Sequence, residues 1–235
     1  MKNTVTPFLL ALVFWLCSVA LPTAQAQDCD AYFPFKVGAI LEMTGYDAKG
    51  KTEGKSKMEI IEKTTIDNGV VAKAKTTIYD NKGKEVTNNK FDVKCADGVF
   101  YMDFKNFMPA ESEQMFKNME ATVDANYLEF PANLQVGQTL PDGVMTMNMN
   151  SNGMALFTMN ININNRKVEA KENITTPAGT FECFKISQET TVRTIMTITT
   201  KSITWYAKDV GAVRTESYDR KGKLTGYTEL TMFKE

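Results

Sequence analysis

Chemistry in this chain would have to be done without histidine, because none is present. That removes the usual general base, the Ser–His and Cys–His nucleophile pairs and the commonest zinc ligand together. No Gly-x-Ser-x-Gly elbow, phosphate-binding glycine loop or dinucleotide fingerprint occurs either. Carboxylate chemistry of the glycosidase kind is what remains, with Glu129 and Asp142 as its candidate acids. Such a pair has no readable sequence spacing, and solvated loop charge accounts for both residues more simply. The reading is therefore of a non-enzyme with no cofactor and no catalytic residue.

Methionine offers a different kind of site. Met145, Met147 and Met149 alternate along one segment, and Met154 and Met159 follow beyond Asn152-Gly153. Exported thioether clusters can hold Cu(I). Alternate positions on a strand stand about 6.5 Å apart on one face, however, so the stripe is first of all an apolar wall, and no metal site is expected. Methionine is flexible and polarizable and suits a lining that accepts variable apolar partners. The candidate lining is Met115, Met119, Met145, Met147, Met149 and Trp205, the last beside Tyr206 at a strand end. Ordinary core filling is the plainer reading of the same residues.

The elements that must position these side chains are strands. Val70, Ala72, Ala74, Thr76 and Ile78 alternate with Val71, Lys73, Lys75, Thr77 and Tyr79, the period of a half-buried strand. Further strand-like runs are Ala39 to Tyr46, Thr52 to Ile66, Glu85 to Cys95, Val99 to Phe104, Val144 to Asn150, Met154 to Asn164, Lys167 to Ile174, Thr180 to Gln188, Thr197 to Tyr206, Ala212 to Tyr218 and Leu224 to Phe233. The run from Thr52 to Ile66, extended, spans about 50 Å and must bend, bulge or overhang. One helix is expected from Pro109 to Ala121, with Pro at its start, Glu111 and Glu113 in its first turn, and Met115, Phe116 and Met119 on one face.

A hexapeptide recurs three times: Tyr46-Asp-Ala-Lys-Gly-Lys51, Tyr79-Asp-Asn-Lys-Gly-Lys84 and Tyr218-Asp-Arg-Lys-Gly-Lys223. It reads as a hairpin loop, with Asp bonding nearby amides and Gly in the left-handed region. With a further turn at Asp67-Asn68-Gly69, the first two tips fall at the same end of the sheet. They are either a lysine-bearing contact surface or solvated turns, the latter being the simpler account.

The first 26 residues have a basic Lys2, an apolar run from Pro7 to Leu21 and the small-x-small site Ala24-Gln25-Ala26, the pattern of a cleaved export signal. The apolar run is shorter than the ~20 residues that span a bilayer, so no membrane span is expected after cleavage. Lipidation is not expected, because Cys17 follows Leu16 inside the run and Cys29 follows Asp28. Residues 27–235 suit a single β-rich domain. They carry 26 basic against 28 acidic residues, which gives no electrostatic drive toward nucleic acid. Of Cys29, Cys95 and Cys183, Cys95 ends an alternating strand on its apolar face. It is either a buried thiol or the partner of Cys29 in a bridge that ties down the N-terminal tail.

Three stretches in combination carry a resemblance. They are Phe130-Pro131 with Gly137 and Leu140-Pro141-Asp142-Gly143; Pro177-Ala178-Gly179-Thr180-Phe181; and Trp205-Tyr206-Ala207 with Val210-Gly211. From Cys29 to Phe233 the chain resembles an exported bacterial family of unknown function, labelled TapB-like and related to the domain-of-unknown-function group numbered 3108. The resemblance implies a gram-negative envelope location and a curved antiparallel β-roll or incomplete barrel, with no catalytic residues to carry over.

The expectation is an all-β, mainly antiparallel roll or incomplete barrel with the one short helix covering its open side. Its function would be non-catalytic binding of a lipid or other apolar or amphiphilic ligand in the periplasm or outer envelope, on the concave face. A structural or adaptor protein that contacts another envelope protein is the alternative, and a carboxylate glycosidase the third.

Overall fold

The computed structural model describes residues 32–102, 120–125, 128–151 and 154–235. Their named elements are all strands: β1 (Ile40–Asp47), β2 (Thr52–Ile66), β3 (Gly69–Asp80), β4 (Glu85–Ala96), β5 (Val99–Met102), β6 (Glu120–Ala125), β7 (Leu128–Pro131), β8 (Gly143–Ser151), β9 (Met154–Thr176), β10 (Gly179–Arg193), β11 (Thr197–Ala207), β12 (Gly211–Tyr218) and β13 (Leu224–Lys234). They form one sheet in the order β6-β8-β9-β10-β11-β12-β13-β1-β2-β3-β4-β5-β7, antiparallel at every pairing.

That order dictates the shape. Strands β6 and β7 are separated in sequence by only residues 126–127, yet they stand at the two opposite edges of the sheet. A connection that short cannot cross a flat sheet of thirteen strands spaced about 4.8 Å apart. The sheet must curl until its edges meet, and the result is a nearly closed antiparallel barrel. Because direction alternates at each pairing, β6 and β7 run the same way, so one stretch of chain leaves one edge and joins the other.

Bulges let the long strands follow this curvature. The ladder between β2 and β3 slips between Ile60 and Glu62. Strand β9, 23 residues long, shifts register against β10 at Lys185/Ile186 and again between Ser187 and Glu189. The second shift lies opposite Asn165, whose φ is 53°, and it turns the next side chain, Arg166, inward.

The helix expected over Pro109 to Ala121 lies outside the described residues except for its last two. Glu120 and Ala121 open strand β6 and pair with Asn150 and Met149. The expected runs Met154 to Asn164 and Lys167 to Ile174 are one strand, β9, broken only by the bulge. Cys95 is in a disulfide, and Cys183 is a buried free thiol. Cys29, the expected partner of Cys95, lies outside the described residues.

Arg166 holds the seam. Its side chain is fully buried. Nη1 donates to the Pro141 carbonyl at 2.6 Å and Nη2 to the Glu129 carbonyl at 3.2 Å, while the guanidinium lies 4.8 Å from the Phe130 ring centroid. Glu129 and Phe130 are on β7 and Arg166 is on β9, so one guanidinium joins the two sides of the closure. Backbone pairing continues it: Leu140 N donates to the Arg166 carbonyl at 2.9 Å, and Val168 N to that of Gln138 at 2.9 Å. Burial pulls the Arg166 pKa below its usual value, and the nearby Tyr206, Asp142 and Glu129 oppose that shift. A guanidinium stays charged under such a shift.

Arg166→Ala leaves two buried carbonyls without their charged donor, and the expected loss in chemical denaturation is about 3 kcal/mol. Arg166→Lys should recover only part of it, because an ammonium cannot present the same fork. An unfolding free energy equal to that of the parent would show that the seam does not depend on this residue.

Candidate functional site

Inside the curled sheet lies a cavity of about 850 Å³. Opposed residues on antiparallel strands share a face, so the lining can be followed from strand to strand through the ladder. Met43 stands opposite Ser56 and Ser56 opposite Ile78; Met58 stands opposite Thr76 and Thr76 opposite Asn89. On the far side, Ser202 stands opposite Gln188, and Thr204 opposite Thr215. All of these border the cavity.

Two zones divide its wall. Tyr32, Phe33, Phe91, Phe100, Leu128 and Tyr206 give an aromatic and aliphatic side. Behind it, Phe33 stacks on Phe100 at 5.3 Å between centroids, Phe100 meets Phe130 at 5.8 Å, and Phe130 meets Tyr206 at 5.0 Å. This ring chain ends on Arg166, so the residue that holds the seam also backs the cavity wall. Burial raises the Tyr206 phenol above its ordinary pKa. The second zone is hydroxyl and amide: Ser56, Thr76, Asn89, Gln188, Thr190 and Ser202. Among the described residues, none that borders the cavity carries a formal charge. Ile78 and Val86, which border it at one end, are 43% and 54% exposed and mark its mouth.

The expected lining is displaced from this site. Met145, Met147 and Met149 are buried on the same sheet face, opposite Ile161, Met159 and Phe157. Ile161 borders the cavity; the three methionines lie beyond it, and Met145 is part of the core packed around Ile163 and Phe130. Trp205 sits in a second cluster with Leu41, Cys183, Val213 and Leu230. Its Nε1 donates to Glu172 Oε1 at 2.7 Å, and Lys185 Nζ lies 5.2 Å from its ring. The neighbouring Tyr206 takes the cavity position, because successive side chains of a strand point to opposite faces. Met115 and Met119 lie outside the described residues. Glu129 and Asp142, the candidate acids, do not border the cavity.

Sequence reading missed the Tyr32-Phe33-Pro34-Phe35 segment, although its aromatic density was a usable signal. It also missed Met43, Met58 and Phe91, each on a strand whose alternation it had read. The free thiol is not poised for chemistry: burial, with Glu172 and Glu182 adding to it, pushes Cys183 up to about 11. Nucleophilic cysteines are shifted the other way.

The family model described as DUF3108-like matches residues 36–230. Among curated proteins none matches. Two solved structures align with 88% of this chain and 100% of their own. One, from Bacteroides fragilis, is provisionally described as an exported protein with a YmcC-like fold, at 24% identity and a TM-score of 0.70. The other, from Parabacteroides distasonis, is provisionally described as a lipoprotein, at 26% identity and a TM-score of 0.71.

Cys183 should resist thiol reagents until the protein unfolds. Its folded pKa lies above the unfolded value near 9, so the neutral thiol favours the fold at lower pH and that contribution drains away as pH climbs from about 9 to about 11. Denaturation across this window should therefore show a shallower decline in Cys183→Ala than in the parent; identical slopes would remove the cysteine from the account.

Proposed function

The chain belongs to the DUF3108-like family, and we propose that it is an exported, non-catalytic envelope protein that holds the apolar body of an uncharged lipid-like ligand inside its curled sheet. The observation that carries this reading is the lining: aromatic and aliphatic on one side, hydroxyl and amide on the other, and, among the described residues, without charge. An ionised ligand group buried there would lack a counter-charge, at a cost of several kcal/mol. An acyl chain or other apolar body meets no such penalty, and its hydroxyl or amide portion finds partners in Ser56, Asn89 and Gln188. The volume falls within the range of about 300–1,000 Å³ typical of small-molecule sites. Among the described residues that border it there are no two facing acids, which sugar hydrolysis requires.

Export is supported by the signal-like first 26 residues and by the descriptions of the two structural neighbours. The sequence around Cys17 and Cys29 favours a non-lipidated periplasmic or envelope form. Among the described residues no helix is long and apolar enough to cross a membrane. The adaptor alternative draws on the exposed, basic hairpin tips.

Native mass spectrometry of the protein isolated from its own envelope should show the bare chain together with a heavier, extractable lipid adduct. Met43→Trp, which narrows the cavity without adding charge, should reduce the adduct and keep a parent-like thermal midpoint. A bare mass alone under gentle ionisation would favour the adaptor reading.

A further inference from the structure

The mouth of the barrel has a surface that the ligand reading does not use. The three hexapeptide turns are nearly identical in geometry. Asp47, Asp80 and Asp219 each accept two backbone amides through Oδ1, at 2.8 and 2.9 Å, and Gly50, Gly83 and Gly222 have φ of 82°, 79° and 77°. Following the antiparallel order around the sheet places all three, between β1 and β2, β3 and β4, and β12 and β13, at the same end. The β10–β11 turn is at that end as well. Asp67, Asp97, Asp142, Asp209 and Glu235 lie at the opposite end, with Lys36, Lys208 and Lys234. At the mouth, eight exposed basic residues, Lys49, Lys51, Lys82, Lys84, Arg193, Arg220, Lys221 and Lys223, stand against five acids, the three turn aspartates with the exposed Glu53 and Glu85. A near-neutral chain is thus polarised, basic where the cavity opens.

At this end the β10–β11 hairpin overhangs its neighbour. Strand β12 stops at Tyr218, opposite Lys201, while β11 begins at Thr197, so the hairpin extends on the order of 13 Å further. Its tip is apolar: Ile195 is 97% exposed, Met196 68% and Ile198 55%. The tip is also ordered, since Thr194 N donates to the Met196 carbonyl at 2.9 Å and Arg220 Nη2 to the Thr197 carbonyl at 3.1 Å. A projecting isoleucine and methionine above a basic rim match a bilayer interface in both respects, because apolar insertion and attraction to anionic headgroups together give the two signals that stable membrane attachment needs.

We propose that the mouth end of the barrel docks on an anionic phospholipid bilayer, with Ile195 and Met196 entering the acyl boundary and the turn lysines meeting the phosphates. The docking goes beyond the ligand reading and needs no occupied cavity.

Vesicle co-sedimentation of the chain without its first 26 residues tests this. Phosphatidylcholine vesicles containing phosphatidylglycerol should bind it at least tenfold more tightly than phosphatidylcholine alone, and added salt should weaken the binding. The triple variant Lys51→Gln, Lys84→Gln, Lys223→Gln should weaken it roughly a hundredfold, about fivefold for each lysine. The double variant Ile195→Ser, Met196→Ser should weaken it about tenfold or more while keeping the parent circular dichroism. Independently, Ile195→Trp fluorescence should shift to the blue on adding anionic vesicles. Equal binding to neutral vesicles, no binding to either kind, or parent-like binding by both multiple variants would overturn the proposal. So would retention on heparin without vesicle binding, which would assign the basic rim to a soluble polyanion.

Discussion

The fold turns on one covalent constraint, that strands β6 and β7 follow each other in sequence but occupy opposite edges of a thirteen-stranded sheet. Neither edge is left as a long exposed template for pairing with another chain, since the sheet curls until the chain itself links them. The closure is completed by Arg166 rather than by a full ladder. A guanidinium suits this place because its fork reaches two carbonyls at once while its face lies on Phe130. Its burial is costly, and the cost is offset only while the two sides of the seam remain together. That makes the contact a specifier of closure as well as a source of stability.

Curling creates an inside, and the period of the strands decides what is found there. Met43, Met58 and Phe91 face inward while Lys57 and Lys90, their near neighbours along the chain, face away. The lysines and glutamates pair on the outer surface, as Lys55 does with Glu42 at 3.0 Å and Lys73 with Glu62 at 3.0 Å, in exposed positions where such pairs add little to stability. The described lining of the cavity is uncharged because the charges of these strands have been sorted to the other face. An apolar interior bordered by hydroxyls and a basic, apolar-tipped mouth are two products of one topology.

Much of this was legible in the sequence. Period-two alternation located strand β2 to its observed ends, and the repeated hexapeptide announced its own hydrogen bonds, because Asp and Gly at fixed spacing leave few other turns open. Arg166 was not legible. It lies in the polar run Asn164-Asn165-Arg166-Lys167, where alternation simply lapses, and only the bulge turns it inward. Strands β6 and β7 were missed for a related reason: both are short, and they gain their partners from segments far away in sequence. The methionine stripe was placed on the correct face by its alternation. Which inward residues border empty space and which fill the core depends on curvature, and local pattern does not encode curvature.

The central claim is that the uncharged interior is a binding site, and the methionine methyl groups are well placed to test it. Met43 and Met58 border the cavity, whereas Met232 is on the outside, 37% exposed. In methyl nuclear magnetic resonance of a delipidated sample titrated with a neutral monoacylglycerol, the signals of Met43 and Met58 should move and saturate while that of Met232 stays fixed. Unmoved signals from Met43 and Met58 at saturating lipid, or movement confined to Met232 and other exposed methionines, would contradict the claim.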